Sequence, residues 1–567
     1  MLTNVKYSLI YSLLWIFVQG VIGAGENPEV TTSLGRIRGS NLSTRLNKTI
    51  YTFRGVRYAK STEGQRRFKL AEPVDPWGPN IVDDASQEGP SCPFSTVSQY
   101  LVSEDCLRLN IYTTKLSTET DKVSRPVIVF FHPGGFYRFS AQSHIFGPQY
   151  LLDHDIVLVT VNYRLATLGF IATGDTRAPG NLGLKDQVVA LRWIQQNIGP
   201  FGGDPSSVTI AGYGAGSSSV ALHLLSPMTK GLFHRAITMS GYPTTPEPLP
   251  TKQPDLVLRQ ASFVDCPNDN LDAAFECLKT IPHQRLGDTR AKFAEWYEDP
   301  WVVWSPVVEP VIPGVERFLT DQPIDLIRRK EFHHVPVIGG TTQDDFLTLA
   351  LRPYEEALAG DDSIYQNMTR NWEYAAPISF NYERETEHSR KVSQGLKKFY
   401  FNDEPITSKN GKDLGMIYSH ALTGFPGHVF AKSMAQNSEA PVYVYAFAYP
   451  GRYSFAIDSK TKEPYGVVHY DELIYLFHLS LFKFPLFTED DPEIDMVKKM
   501  TTMWANFAKT SEPIPKDSDL FKGVIWANLN PKIKNVLLIS NELTEEDDPA
   551  AEPAYDMWAE LFPRNKV

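Results

Sequence analysis

The sequence predicts an α/β protein whose central sheet is large, mostly parallel and covered by helices on both faces. Short runs rich in β-branched residues alternate with longer stretches of helical pattern, such as residues 185–197 and 215–225. Strands that alternate with helices favour a parallel sheet, whose functional loops follow the carboxyl ends of its strands. The runs interpreted as buried strands are 127–131, 156–163, 208–212, 236–239, 335–338 and 442–447.

Composition and charge exclude two classes of protein. The chain has 567 residues, of which 42% are hydrophobic and 12% aromatic, so it can bury a large core and is not predicted to be disordered. Its net charge is −11, and no stripe of Lys and Arg interleaved with aromatic residues offsets it, which argues against nucleic acid as a partner. No repeat or low-complexity linker interrupts residues 25–567, so we expect a single domain there.

The first 24 residues have the layout of a secretory signal peptide. Lys6 precedes an apolar stretch over residues 7–18, and small residues lead to Ala24, near which we expect cleavage. An apolar stretch of about twelve residues is shorter than the roughly 20 that a membrane-spanning helix needs. The C-terminal residues 558–567 are mixed and charged. We therefore expect a secreted, extracellular protein without a membrane span.

Export makes the four cysteines candidates for disulfide bonds. They fall into two close groups along the chain, which favours pairing Cys92 with Cys106 and Cys266 with Cys277. The spacings contain neither a CxxC motif nor a nearby pair of histidines, so we expect no metal site and no cofactor.

Three sequons predict a glycosylated surface. They begin at Asn41, Asn47 and Asn367.

A glycine-rich turn at residues 212–216 joins a predicted strand to a predicted helix. As a dinucleotide-binding fingerprint, it lacks the glycine expected where Ser217 stands and an acidic residue about 20 positions further on. As a nucleophile elbow, G-x-S-x-G, it matches at Gly212 and Gly216 but has Gly214 in place of the serine. A plain structural turn would also explain the motif, so its surroundings must decide.

Those surroundings resemble the type-B carboxylesterase and cholinesterase family. Residues 201–216, which run from Phe-Gly-Gly-Asp-Pro to Gly-Tyr-Gly-Ala-Gly, are similar to the elbow signature of that family with one substitution. Residues 104–111 resemble its second signature and depart from it at Arg108. The blocks 162–165, 181–187 and 190–194 are also similar. The resemblance covers essentially the whole mature chain and implies an α/β-hydrolase fold.

Residues 132–136, His-Pro-Gly-Gly-Phe, resemble the oxyanion loop of the family. Acyl transfer needs fixed N–H donors for the developing oxyanion, because such donors do not have to reorganise during the reaction. The match implies that the donors are the backbone N–H groups of Gly134, Gly135 and Ala215. Pro133 replaces the first glycine of the usual run, whereas both donor glycines are present.

The remaining members of a catalytic triad are a histidine base and the acid that orients it, which follow the nucleophile along the chain in this fold. Residues 467–472 resemble the histidine block of the family and single out His469. Residues 340–346 resemble the acid block, with Asp345 where the family usually carries Glu and Phe346 where it carries a glycine. Asp344 is the alternative acid.

Position 214 is then the missing member of the triad. Glycine has no side chain that His469 could activate, so no acyl-enzyme can form at Gly214. Ser217, Ser218 and Ser219 follow in the predicted helix, where Ser217 lies about 4.5 Å further along the axis. We expect these serines to serve capping and packing rather than catalysis.

Two functional hypotheses follow. The first is a secreted pseudo-esterase that binds a small apolar ester-like ligand or an extracellular protein, as the resemblance to serine-less neuroligin-like and glutactin-like members implies. The second is an active carboxylic ester hydrolase that uses an unrecognised nucleophile.

Overall fold

The computed structural model describes residues 27–94, 101–516, 518–529, 536–546 and 553–567. The proposed signal peptide, residues 1–24, lies outside them. The strands are β1 (Glu29–Thr31), β2 (Gly35–Arg38), β3 (Ser40–Ser43), β4 (Thr49–Arg57), β5 (Gly78–Asp84), β6 (Arg108–Thr113), β7 (Arg125–Phe131), β8 (Val157–Val161), β9 (Gly203–Tyr213), β10 (Arg235–Met239), β11 (Val337–Thr342), β12 (Val442–Phe447), β13 (Val536–Ile539) and β14 (Leu543–Glu546).

The α-helices are α1 (Ala166–Phe170), α2 (Leu182–Asn197), α3 (Ala215–Leu225), α4 (Pro254–Ser262), α5 (Leu271–Leu278), α6 (His283–Gly287), α7 (Pro323–Arg328), α8 (Thr348–Leu358), α9 (Ser363–Arg370), α10 (Trp372–Phe380), α11 (Glu387–Phe401), α12 (Gly411–Ser419), α13 (Phe425–Asn437), α14 (Ile494–Thr510) and α15 (Pro553–Leu561). A π-helical turn, His420–Gly424, joins α12 to α13.

Eleven of the described strands form one sheet in the order β14-β13-β12-β11-β10-β9-β7-β8-β6-β4-β3. From β8 through β7 to β13, each neighbouring pair is parallel. The pairs at both edges are antiparallel. The predicted α/β class and mostly parallel sheet are therefore confirmed. A separate small sheet has the order β1-β2-β5.

The predicted runs do not include β6, β13 or the edge strands β3, β4 and β14. β3 has the sequence Ser-Asn-Leu-Ser, and β4 carries a glycine, Gly55, beside an irregularity in its register with β6. Neither strand offers a continuous β-branched run, which is the signal that found the buried parallel strands. β9 begins five residues before its predicted start. The hydrophobic pattern missed these first residues because most of them are polar or glycine.

The two faces of the sheet bury separate hydrophobic clusters. Along β7, Val129 belongs to the cluster that contains Val220 of α3, whereas Ile128 belongs to the cluster that contains Trp504 of α14. Successive side chains of a strand point to opposite faces, so one strand supplies both cores. Helices cover both faces of the sheet, as expected from the sequence.

Both predicted disulfides are present, Cys92–Cys106 and Cys266–Cys277. The three sequon asparagines, Asn41, Asn47 and Asn367, are exposed. Among the described residues, no helix is both long and apolar enough to cross a membrane.

A buried ion pair connects the segment after β8 to α2. Arg164 donates from Nε and Nη2 to Asp186 at 2.7 and 2.6 Å, and both side chains are almost fully buried. Arg164 also donates from its backbone N–H to Asp186 Oδ2 and from Nη1 to the carbonyl of Lys69. Removing one partner of such a pair leaves a buried charge without compensation.

We expect Asp186→Asn to destabilise the fold by about 3–5 kcal/mol, because Arg164 would stay charged and buried. The control is Glu356→Gln, which breaks the exposed i,i+4 pair with Arg352 and should cost less than about 1 kcal/mol. Urea unfolding under non-reducing conditions measures both. Equal losses in the two variants would contradict this account of the buried pair.

Candidate active site

The strand register brings the ends of four neighbouring strands into one row. Phe131 of β7 pairs with Gly212 of β9, and Met239 of β10 pairs with both Tyr213 of β9 and Gly340 of β11. The glycine loop, the turn at position 214 and the acid block all follow these strand ends. The residues singled out in the sequence therefore meet at the carboxyl edge of the sheet, as expected for a parallel α/β fold.

Gly214 forms a tight turn between β9 and α3. Its φ is +54° and its ψ is −117°, a backbone conformation that L-residues with a side chain rarely adopt. Its N–H donates to the carbonyl of Met239 at 2.8 Å. A Cβ at position 216 would stand 2.0 Å from the carbonyl oxygen of Phe131, so Gly216 lets α3 approach the sheet. The backbone thus has the sharp strand-to-helix turn of a nucleophile elbow.

His469 faces the vacant position. Its Nδ1 lies 2.5 Å from Asp345 Oδ1, and its backbone N–H donates to the Asp345 carbonyl at 2.7 Å. A Cβ built on Gly214 would stand 3.3 Å from His469 Nε2. Asp344 instead accepts from the backbone N–H of Val467 at 2.9 Å. Of the two candidate acids, Asp345 is therefore the one that lies against the histidine.

Three aromatic rings enclose the imidazole of His469. Phe346 stacks on it, with ring centroids 4.4 Å apart and planes inclined by 25°. Tyr213 and Tyr470 meet it edge-on at 4.8 and 4.3 Å, and the Tyr470 N–H donates to Tyr213 Oη at 2.8 Å. These contacts fix the ring plane of His469. In the sequence, Phe346 stands out only as a departure from the acid block of the family, and nothing there singles out the two tyrosines.

The glycine loop after β7 provides backbone donors beside the same turn. Gly134 and Gly135 have φ values of +117° and +59°, and the Gly134 carbonyl accepts from the N–H groups of Tyr137 and Arg138. The N–H groups of Gly134, Gly135 and Ala215 have no hydrogen-bond acceptor among the described residues. Three unused donors therefore border the turn at position 214, where an oxyanion loop would present them.

The serines after the turn are placed differently from one another. Ser217 is fully buried and donates its hydroxyl to the Gly241 carbonyl at 2.6 Å, and Ser219 donates to the Ala215 carbonyl at 2.9 Å. Both therefore serve the packing role expected of them. Ser218 lines the cavity beside Gly214.

A cavity of ≈ 400 Å³ opens over these groups. His469, Gly214, Ala215 and the two donor glycines stand on its wall. The π-helical turn His420–Gly424 contributes Ala421, Leu422 and Thr423; such turns are frequent at functional sites. The larger apolar side chains on the cavity wall are Phe136, Leu222, Leu249, Trp301, Val302, Val303 and Phe346.

Two further carboxyl groups lie behind the His469–Asp345 pair and were not found by sequence reasoning. Burial raises the pKa of Glu472 to about 8, although Tyr445 Oη donates to its Oε2 at 2.6 Å. Glu472 Oε1 has no hydrogen-bond partner among the described residues. Burial also raises the pKa of Asp471 to about 7. Since nearby negative charges, including that of Asp345, also raise the pKa of Glu472, this side chain is held in its neutral form near Asp345.

This fold and this arrangement of an elbow, a backbone-donor loop and an Asp-oriented histidine define an α/β-hydrolase. A family model described as "Carboxylesterase family" matches residues 26–558, and the chain belongs to that family.

Curated relatives and a solved structure agree with that assignment. The chain is 37% identical to Esterase FE4 of Myzus persicae over 515 residues, which covers 88% of this chain and 87% of that protein. It is 32% identical to the juvenile hormone esterase of Tribolium castaneum, with 92% and 90% covered. The crystal structure of juvenile hormone esterase from Manduca sexta, with OTFP covalently attached, matches with a TM-score of 0.82 at 27% identity, covering 95% of this chain and all of that one.

The buried Glu472 yields a pH-dependent prediction. Between its ordinary pKa near 4.5 and its folded-state pKa of about 8, the folded protein keeps a proton that the unfolded chain has lost. Stability conferred by this group therefore falls as pH rises through that window, by up to about 1.4 kcal/mol per pH unit. We expect Glu472→Gln to lose less stability than the wild type between pH 5 and pH 8. Urea midpoints at four pH values measure this, and parallel curves would show that Glu472 titrates normally.

Proposed function

We propose that this chain is a non-catalytic member of the carboxylesterase family that binds a small apolar ester-like ligand in the cavity above Gly214. The observation that carries the proposal is the glycine at the apex of the elbow, opposite His469 Nε2. An acyl-enzyme needs a nucleophilic side chain at that position, and glycine supplies none.

The energetic consequence of the missing hydroxyl is large. In a serine protease that uses the same chemistry, removal of the serine costs about 2 × 10⁶ in kcat. That loss corresponds to about 8.6 kcal/mol of barrier. The backbone donors and substrate binding alone leave about 10³ to 10⁴-fold acceleration over water. This residual rate does not support a physiological hydrolase.

The surviving groups support binding. His469 and Asp345 are nearly fully buried, and their hydrogen bond satisfies polar atoms that would cost about 1–3 kcal/mol each if left unpaired. The cavity combines a mainly apolar wall with a few polar groups, which is the usual composition of a small-molecule site. Loss of the nucleophile therefore leaves a site that can hold a ligand without cleaving it.

The proposal includes export of one domain, residues 25–567, after removal of the signal peptide 1–24. Two disulfides and three exposed sequon asparagines support an extracellular location. We expect Asn41, Asn47 and Asn367 to carry glycans in the secreted protein. An extracellular protein is the alternative partner, as in the serine-less neuroligin-like and glutactin-like members that the sequence resembles.

The second candidate function is an active carboxylic ester hydrolase with another nucleophile. Ser218 favours it, since this serine lines the cavity four residues after Gly214, and several relatives are named esterases. If Ser218 were the nucleophile, turnover of nitrophenyl esters by the wild type would disappear in Ser218→Ala.

We expect Gly214→Ser to raise the turnover of nitrophenyl acetate by at least about 10²-fold, within the roughly 10⁶-fold that a serine contributes in a related mechanism. The position of Cβ lies 3.3 Å from His469 Nε2, so a hydroxyl one bond further can reach that nitrogen. The positive φ should cost the variant about 1–3 kcal/mol of stability.

Gly214→Ala is the matched control, because it adds the same Cβ and the same backbone strain without a hydroxyl. It should show wild-type turnover. A wild-type protein that already matches ordinary esterases, or an alanine variant as active as the serine variant, would overturn the proposal.

A further inference from the structure

The cavity presents four polar groups that lack a partner. In the described part of the chain, nothing accepts from the N–H groups of Gly134, Gly135 and Ala215, and nothing bonds to His469 Nε2. The last of these atoms belongs to a side chain that is only 5% exposed. A few polar groups on the wall of a mainly apolar cavity orient its ligand, so these four atoms define what a complementary ligand would offer.

The histidine specifies the chemistry of the ligand on its side of the site. An ionised carboxylate can only accept, so the contact with Asp345 calls for a hydrogen on Nδ1, and in an uncharged ring the lone pair is then on Nε2. In a hydrolase, the serine hydroxyl would donate to that lone pair. Gly214 has no hydroxyl, so a ligand that displaces water from this position satisfies Nε2 only if it brings a proton.

The backbone donors specify the other side. The three N–H groups can donate to an acceptor oxygen of the ligand. One of them belongs to Ala215, the first residue of α3, an eleven-residue helix whose N-terminus has no side-chain cap. The unpaired N–H groups and the dipole of a helix N-terminus favour negative charge. An ester offers only acceptors. A carboxylic acid offers an acceptor oxygen to the N–H groups and a proton to Nε2, after which both partners are charged.

We infer that this cavity binds an apolar-tailed carboxylic acid as its carboxylate, together with one proton held at His469 Nε2. The inference rests on the proposed function and narrows its ligand from ester-like molecules to acids. The bound state has a negative Asp345, a positive imidazole and a negative oxygen beside the N–H donors. This is the charge pattern that a hydrolase site stabilises in its tetrahedral intermediate, here formed without a covalent bond.

The other ionisable groups around His469 are compatible with that state. Tyr213 and Tyr470 contact its ring, and burial raises the pKa of both phenols, so they stay neutral. Arg138 donates to Tyr470 Oη, and burial raises the pKa of Glu472, near Asp345, to about 8.

Glu247 stands on the wall of the same cavity, and burial together with Glu383 raises its pKa. The tail has an apolar wall to occupy, provided by side chains such as Leu222, Leu249 and Trp301.

Calorimetry with octanoate, octanamide and methyl octanoate tests the inference, because the three probes share one tail. We expect octanoate to bind at least about tenfold more tightly than methyl octanoate, with the amide between them. At pH 8, where an ordinary imidazole is uncharged, titrations in two buffers of different ionisation enthalpy should show uptake of about one proton per octanoate and none for the ester.

Two variants distinguish the role of His469 in ligand binding from the general effect of removing a histidine. His469→Gln should lower the affinity for octanoate more than that for the ester and abolish proton uptake. His334→Gln changes an exposed histidine that precedes β11 and does not line the cavity, and it should leave both affinities and the proton count unchanged. Thermal unfolding checks that both variants are folded.

The outcomes are distinct. If the ester or the amide binds as tightly as octanoate, or if octanoate binds without proton uptake, this inference is wrong while the proposed binding function stands. If none of the three probes binds, the proposed binding of a small ester-like ligand fails as well.

Discussion

The hydrogen bond from His469 Nδ1 to Asp345 Oδ1 is the interaction on which the candidate site depends. It joins residues 124 positions apart in the sequence and holds a buried imidazole opposite a backbone turn that has no side chain. This bond sets the tautomer of His469, whereas the surrounding aromatic rings fix its ring plane. The sheet makes this bond possible, because β9 and β11 end in the same row and deliver the turn and the acid to one edge.

The glycine at the apex has a structural advantage as well as a catalytic cost. The turn holds position 214 at a positive φ, which strains any residue with a Cβ and leaves glycine unstrained. Active sites commonly trade stability for function, and glycine avoids that strain at this turn. Gly214 leaves space at the apex of the turn, and the donors of the loop after β7 and the N-terminus of α3 surround that space.

Much of the fold and of the site could be predicted from the sequence, for identifiable reasons. Most of the buried parallel strands contain short runs rich in β-branched residues, and the predicted strand 442–447 has the bounds of β12. The vacancy at Gly214 and both disulfides follow from local spacing and motif. The edge strands could not be predicted in this way, because their polar residues and glycine hide them from a hydrophobic pattern.

Other features of the site needed coordinates. The sequence favoured Asp345 as the acid and left its neighbour Asp344 as the alternative, and the structure shows Asp345 against His469. The stacking of Phe346, the neutral Glu472 and the position of Ser218 on the cavity wall depend on packing between distant segments. Periodicity along the chain carries no information on such contacts.

The most direct test of the vacant-nucleophile account is the intact mass of the wild-type protein after incubation with excess fluorophosphonate. The account predicts an unchanged mass, because no side chain stands at the apex of the elbow to be phosphonylated. A stoichiometric adduct that peptide mapping places on a residue of the cavity wall, such as Ser218, would contradict it and make the chain an active hydrolase.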